Sequence, residues 1–449
     1  MTLVVAVNLA FDKPDARGRP LIVRSLTTTT VQFGGSDDRP FGPGFRDVRL
    51  LSGCSARAYN ARIARVVEMK MLMLSTDFLA LGGISRHDKL TIVALDRYVA
   101  RCGGTLSAMS LTDGTPDVLP ANLKSLRACT LAYSGGRRWK YVSRFCRVVR
   151  HADVVLYGHV AFAPMRLVQA ALNPRARSLL MLHGIEAWHY RSSLHASGIR
   201  RMDSVVSISQ YTLQRFTEAY RLKPGVRTYV VPNPVSPEVL RVADSAGLRT
   251  NVTQLSLLTV TRLSSSDPTK GVDLVIRALP ALVANHPQLK YVVIGDGEDR
   301  VRLEELAQSA GVGAHVSFLG HVPEETLKEE FSRCTVFVMP SAKEGFGMVF
   351  VEAMAYGKPV VAARAAGATE VVEHGRTGML VEYGDVAGLT TALDELLGNP
   401  ELRRRLGEAG HLATQGKFSF ESYCDNWFAV CEDLEPRPAR VAASAGATS

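Results

Sequence analysis

The sequence predicts an α/β protein made of two doubly wound parallel-sheet domains that face a central cleft. Three observations lead there. The chain has 449 residues, long for a single hydrophobic core. Short apolar runs alternate with segments of helical period, and the series occurs twice. Between the two series stand Pro232, Pro234 and Pro237, which interrupt the pattern.

Residues 1–68 hold "TTTT" and "FGGSDDRPFGPGF" with little periodicity. They read as a poorly ordered extension, or as translation from upstream of Met69, Met71 or Met73. Residues 69–240 are the first domain. Its strands are "MLMLS", "TLSAMSL", "DVVLYG", "SLLMLH", "DSVVSIS" and "RTYVVPN", with a helix expected from Ile84 to Val99. Wholly apolar strands alternating with helices indicate a parallel sheet covered on both faces, a Rossmann-like arrangement. Residues 233–253 read as a linker. The second domain, 241–417, repeats the pattern with "LSLLTV", "YVVIG", "VSFLG", "TVFVMP", "KPVVAA" and "GMLVE". Residues 418–434 form a last amphipathic helix, and 435–449 a disordered tail.

An apolar fraction of 46% and a charged fraction of 21% suit a soluble globular chain. Seven cysteines without a CxxC pair argue against a disulfide framework or a zinc site and favour a reducing compartment. No apolar run reaches the length of a membrane span, and "MTLVVAVNLAF" reads poorly as a signal peptide, so a cytoplasmic location is expected. The net charge of +10 suits nucleic acid, an anionic membrane surface or phosphorylated ligands. No nucleic-acid-binding module is recognisable, so nucleic acid is not expected as a partner.

In open parallel sheets, ligands bind beyond the carboxyl ends of the strands. The candidate residues lie at those ends. In "SAKEGFGMVFVEAMAYGKPVVA", Glu344 is in the loop after a strand and Glu352 is within an apolar helix. A carboxylate in such a helix needs hydrogen-bond donors or a raised pKa. Ribose hydroxyls would serve, and so would an internal arginine. Gly345 and Gly347 let backbone N–H groups approach a ligand at the helix start. In "TRLSSSDPTKG", Arg262 and Lys270 put two cations at one sheet edge, suited to a diphosphate, although a solvated basic loop has the same composition. Gly295 and Gly297 in "VIGDGEDR" end a strand where a nucleotide can pack, or form a tight turn; a full GxGxxG is missing. In the first domain, Gly82 and Gly83 and the strand-end His183 carry the same pair of readings, ligand contact or local structure. No DxD occurs, and no His/Asp/Glu cluster has metal spacing, so neither a metal nor another cofactor is expected.

Together, "EGFGMVFVEAMAYGKPVVA", "TRLSSSDPTKGVDLVIRAL", "YVVIGDGEDR" and "LGGISRH" resemble the retaining glycosyltransferase family 4, of GT-B fold, over roughly residues 70–434. "VVSISQYTLQRF" and "VVPNPV" are similar to further family signatures. The resemblance implies transfer of a hexose from a nucleotide diphosphate, GDP- or UDP-linked, to a hydroxyl acceptor with retention. The setting it implies is bacterial polysaccharide or glycolipid synthesis, with a mannosyl group one option. It assigns Glu344, Gly345, Phe346 and Gly347 to the donor sugar, and Glu352 to the ribose. It assigns Arg262 and Lys270 to the diphosphate, His183 to the transferred sugar, and Gly83 to a backbone contact. It also implies that the leaving diphosphate takes the acceptor's proton, and that residues 418–434 cross back onto the first domain. "SSSDP" is an insertion relative to the usual spacing, and "PNPV" replaces "PNGV". The basic amphipathic segment "GRRWKYVSRFCRVVRH" has Trp139, Val142, Phe145, Cys146 and Val149 on one face and Arg137, Lys140, Arg144 and Arg147 on the other. It suits a peripheral seat on the inner face of the plasma membrane beside a lipid-linked acceptor, or plain packing on its own sheet. A nucleotide-sugar-binding scaffold without catalysis is the alternative. A Rossmann oxidoreductase is disfavoured by the missing fingerprint.

Overall fold

The computed structural model describes residues 68–80, 82–189, 192–246 and 254–434. The readings of residues 1–67 and 435–449 fall outside these. Among the described residues, the chain forms a seven-stranded and a six-stranded sheet.

The first sheet contains β1 (Lys70–Ser75), β2 (Thr105–Ser110), β3 (Cys129–Tyr133), β4 (Val154–Tyr157), β5 (Arg177–Leu182), β6 (Ser204–Ser207) and β7 (Arg227–Val230). Its order is β3-β2-β1-β4-β5-β6-β7, all parallel. The second contains β8 (Ser256–Val260), β9 (Lys290–Ile294), β10 (Val316–Gly320), β11 (Val336–Met339), β12 (Val360–Ala363) and β13 (Gly378–Val381), in the order β10-β9-β8-β11-β12-β13. Its neighbours are likewise parallel. The central strands are buried on both faces, as in β1, where every residue after Lys70 is covered. That is why they read as apolar runs without alternation.

Strand order reverses between β1 and β4 in the first sheet and between β8 and β11 in the second. Loops diverge at such points and leave a crevice. Helix α1 (Gly83–Arg101) leaves the first crevice, and α2 (Arg138–Val148) covers the same sheet nearer its β3 edge. Helix α3 (Gln210–Tyr220) follows β6.

Three expectations need correction. The segment read as a linker contains a helix, α4 (Pro237–Ala246). Pro237 opens it, because proline at the first helical position has its φ preset and its missing N–H is not needed. The strand β3 is an addition to those expected; it is an edge strand with no fully buried residue, so its apolar run is weak. The apolar face assigned to residues 136–151 divides: Tyr141, Phe145 and Val149 pack inward, whereas Trp139 and Val142 are 72% and 44% exposed.

In the second half, α5 (Val272–Asn285) follows β8, α6 (Glu324–Arg333) follows β10 and α7 (Met348–Ala355) follows β11. Helix α8 (Pro400–Gln415) leads into α9 (Phe420–Leu434), which packs on α1 of the first sheet. Phe420, Tyr423, Trp427 and Cys431 are buried there, Trp427 completely. Covering one such aromatic contributes on the order of 2–3 kcal/mol. One buried apolar cluster runs from Met71 and Leu156 through Val231 and Val235 to Phe346, Phe350 and Phe418, so the two halves share a continuous seam.

Candidate active site

The carboxyl ends of the two sheets meet. Gly345, after β11, approaches Gly184, after β5, so closely that a Cβ at Gly345 would stand 2.9 Å from the Gly184 Cα. Ser209 caps α3 by accepting from the Thr212 N–H at 3.1 Å, and its own hydroxyl donates across the cleft to the Gly345 carbonyl at 2.6 Å. Glu370 accepts from the Gln210 and Tyr211 N–H groups at 2.8 and 2.7 Å, placing its charge at the positive end of the same helix. The glycine at 345 thus serves the approach of two backbones. Its expected contact with the donor sugar is a separate matter.

At the second switch point, Lys270 ends the short turn Pro268–Lys270. Its Nζ donates to Glu344 Oε2 at 3.2 Å and to the Lys343 carbonyl at 3.3 Å. Arg262 is exposed just beyond β8 and lines one small crevice together with Lys270. Gly295 and Gly297 both have positive φ, 124° and 151°. A Cβ at either would run into the carbonyl of Thr261 or Leu263, at 1.8 and 1.9 Å. Their lack of a side chain lets the loop after β9 lie against the Arg262 loop, fastened by Leu263 N–H to Asp296 O at 3.0 Å.

Gly347 caps α7 with φ 94° and offers no side-chain acceptor to the helix N–H groups, which leaves that end electropositive. The Phe346 side chain is 2% exposed and lies edge-on to Phe418, so only its backbone is available to a ligand. Glu352 is buried in α7 and forms an ion pair with Arg86 of α1, from the other half. Burial raises its pKa, and the Arg86 guanidinium opposes that shift. Both readings offered for this glutamate therefore remain chemically meaningful: an arginine holds it now, and the same oxygens suit hydroxyl donors. A cavity of about 370 Å³ opens beside the pair, lined in part by Gly82, Arg86, Lys89, Glu324 and Glu352. A Cβ at Gly83 would meet open space, so nothing in its packing requires glycine there.

His183 follows β5. Its Nε2 lies 2.7 Å from the Gly158 carbonyl and its backbone N–H donates to Glu186 Oε1 at 2.7 Å. The ring stands edge-on to His87 of α1, with centroids 4.7 Å apart. Burial lowers the His183 pKa to about 4. His87, Asp88 and His183 offer polar atoms within 4.8 Å of one another. His87 Nε2 also lies 3.0 Å from the Tyr423 hydroxyl.

Sequence reasoning did not single out Arg86, Asp88 or Ser209. Asp88 carried the signal used for Glu352, a carboxylate in phase with buried Thr91, Ile92 and Leu95 on one helix. Arg86 and Ser209 gave none, since their partners are distant in sequence.

Two doubly wound sheets, meeting carboxyl end to carboxyl end with cations and uncapped amides at the facing switch points, define the GT-B class of group-transfer enzymes. Comparison with known proteins makes this specific. Residues 243–412 match the family model of glycosyl transferases group 1, and residues 100–239 that of glycosyltransferase family 4. A GDP-mannose-dependent alpha-(1-6)-phosphatidylinositol monomannoside mannosyltransferase of Mycolicibacterium smegmatis is 34% identical over 290 residues, which is 60% of this chain and 74% of that protein. The monoacylated-substrate counterpart of Corynebacterium glutamicum is 30% identical over 290 residues, 61% and 74% of the two chains. Among solved structures, sucrose-phosphate synthase of Thermosynechococcus elongatus superposes with TM-score 0.63 at 20% identity, covering 82% of this chain and 99% of that one. Anabaena Alr3699/HepE in complex with UDP gives 0.62 at 20%, covering 82% and 100%. The chain belongs to glycosyltransferase family 4, and it is a glycosyltransferase of GT-B fold.

Proposed function

We propose that the protein transfers a mannosyl group from GDP-mannose, with retention, to a hydroxyl of a lipid-linked acceptor at an anionic membrane surface. The mannosyl and GDP parts are supported by the relatives named above, which span three quarters of their length with this chain. The observation that carries the mechanism is the second switch point. Lys270 and Arg262 line one crevice there, Lys270 is held by Glu344 in the loop that leads to α7, and the start of α7 is uncapped. In an oxocarbenium-like transition state, negative charge grows on the departing diphosphate, and preorganised cations and amides favour that state over the ground state. The diphosphate takes the acceptor's proton on the same face, so no strong protein base is required. No metal ion enters this reading. Glu344 keeps Lys270 in place and meets the sugar; Glu352 exchanges Arg86 for the ribose hydroxyls. Closure of the cleft through Gly345 and Ser209 shields the donor from water.

The test is a thermal-shift series on the purified chain with GDP-mannose, GDP, UDP-glucose and UDP, followed by mannosyl transfer to phosphatidylinositol monomannoside. A ligand at a hundred times its Kd stabilises by about 2.7 kcal/mol, a shift of several degrees or less for a chain this long. A clear shift with GDP-mannose and none with UDP-glucose is expected. The reverse order removes the donor assignment, and donor binding without transfer to any acceptor favours the scaffold reading.

The membrane part is supported by α2. Trp139 and Val142 project outward beside exposed Arg137, Arg138 and Arg147. An aromatic flanked by cations suits the headgroup layer of an anionic bilayer, each cation contributing about 1 kcal/mol near the surface. No helix among the described residues is long and apolar enough to cross a membrane. Sedimentation with vesicles containing anionic lipid at low salt is expected to carry the protein down, and Trp139→Ala to weaken that binding. Absence of binding ends the membrane proposal.

A further inference from the structure

The buried cluster at the first switch point has a gap in its hydrogen bonding. Asp88 is 1% exposed on α1. Ser75 Oγ donates to its Oδ2 and leaves Oδ1 to two imidazoles. Oδ1 stands 3.5 Å from His87 Nδ1 and 3.7 Å from His183 Nε2, and it has no hydrogen-bond partner. The protons around His87 can be counted. Thr91 Oγ1 donates to the His87 carbonyl at 3.0 Å, so it accepts from Tyr423 Oη at 2.7 Å. Tyr423 therefore accepts from the His87 Nε2–H at 3.0 Å. Burial lowers the His87 pKa to about 3, so the ring is neutral and its Nδ1 is bare. Two lone pairs thus face each other across 3.5 Å, too long for a good shared proton. No lysine or arginine among the described residues pairs with the carboxylate. Buried charges are paired or coordinate a metal.

We propose that His87 Nδ1, Asp88 Oδ1 and His183 Nε2 form a binding site for one zinc ion, and that an ion held there inhibits transfer. The 3.5 and 3.7 Å separations are close to the edge of a tetrahedron of zinc bonds, about 3.4 Å for bonds of about 2.1 Å. All three atoms lie within 4.8 Å of one another, and the Gly158 carbonyl, 2.7 Å from His183 Nε2, offers a fourth oxygen. The outer partners are already in place. His87 donates its other ring N–H to Tyr423, and Ser75 steadies the second oxygen of Asp88. A dication would supply the positive charge that the buried carboxylate lacks. Two nitrogens with one carboxylate oxygen suit zinc rather than magnesium or calcium, which take oxygen ligands. His87 and Asp88 are neighbours on one helix and His183 arrives from the end of β5, so no metal spacing shows in the sequence. His183 also borders the cleft, the side from which an ion enters.

Binding takes from His183 its bond to Gly158. The ring passes to its other neutral tautomer, the proton moving from Nε2 to Nδ1, and no proton is gained or lost. Nδ1 then donates where it had accepted, and the ring is tied to α1. The inhibitory part rests on the reading that His183 meets the transferred sugar.

The experiment is calorimetric titration of the tag-free full chain, stripped with a chelator, with zinc chloride and separately with magnesium chloride. One zinc per chain is expected. Asp88→Asn and His183→Asn, which nearly keep side-chain size, should each weaken zinc binding by at least the about ten- to hundredfold that loss of an outer partner costs. No zinc binding by the wild type, zinc binding unchanged in both variants, or magnesium bound as tightly as zinc overturns the proposal. If the variants do not fold, X-ray absorption at the zinc edge of the wild type decides: two imidazoles around the ion support the site, and a shell without imidazole overturns it. With a donor in hand, buffered free zinc at ten times its Kd should lower wild-type turnover about tenfold, as mass action requires of an inactive loaded form, and a chelator should restore it. Full turnover with the site loaded overturns the inhibitory part. Failure to find a donor sinks the transfer reading, while the zinc titration still decides the site.

Discussion

Lys270→Ala is expected to lower turnover by about two to three orders of magnitude, the loss typical of removing one preorganised charge from a developing anion. The fold should persist. Lys270 sits on a surface turn, its side chain is 21% exposed, and its ion pair is with Glu344, itself 18% exposed. A partly exposed pair of this kind contributes about 1 kcal/mol or less. Glu344→Ala should move turnover in the same direction for a different reason: it frees the lysine from its fixed position and removes an acceptor from the sugar's side. The measurement is kcat with the preferred donor, alongside circular dichroism and melting temperature. A fully active Lys270→Ala enzyme with unchanged kcat would exclude the basic crevice from the chemistry.

Gly345→Val should do comparable damage without touching a charge. The β-carbon alone would stand 2.9 Å from the Gly184 Cα and 3.0 Å from the His183 carbonyl, and both are backbone atoms with nowhere to go. The halves would have to separate by an ångström or so. A misplacement on that scale costs about a hundredfold in rate when the reacting groups sit on opposite sides. Ser209→Ala removes one hydroxyl bond to the Gly345 carbonyl and is expected to cost only about tenfold or less. Small-angle scattering should show a larger radius of gyration for Gly345→Val in the presence of nucleotide sugar. Wild-type activity in that variant would mean that closure at this contact is irrelevant to transfer.

The fold was legible because parallel strands buried on both faces leave an unmistakable apolar run, and because prolines mark the passage between the halves. What escaped was local and weakly buried. "CTLAY" lies at a sheet edge and shows too little burial to stand out. Pro237 stops one pattern and starts a helix, and nothing in its neighbours distinguishes the two uses. Trp139 was placed on one apolar face with Phe145 and Val149 because period alone cannot say which of two adjacent apolar stripes turns inward.

The site divides in the same way. Lys270 and Glu344 belong to neighbouring loops of one sheet, so strand order alone brings them together. Phe346 kept its place in the motif while its ring turned into the core. The partner of Glu352 was one of two open readings, and the structure supplies it from the other half of the molecule, where no local pattern reaches. Asp88 was hidden by its company: "RHDKL" looks like a solvated face until its phase against Ile92 and Leu95 is counted.

The polypeptide passes between its halves twice, once before α4 and once between α8 and α9, and the two passages are stitched together where the Val235 N–H donates to the Phe418 carbonyl at 2.8 Å. Beyond that stitch, Arg97 grips Glu421 at 2.9 Å and Arg227 grips Asp433 at 3.0 Å. A chimera made by swapping the second-sheet half between relatives therefore has to be spliced at both places. Its last fifteen residues of helix should be inherited with the first-sheet half, because that is the surface they pack on.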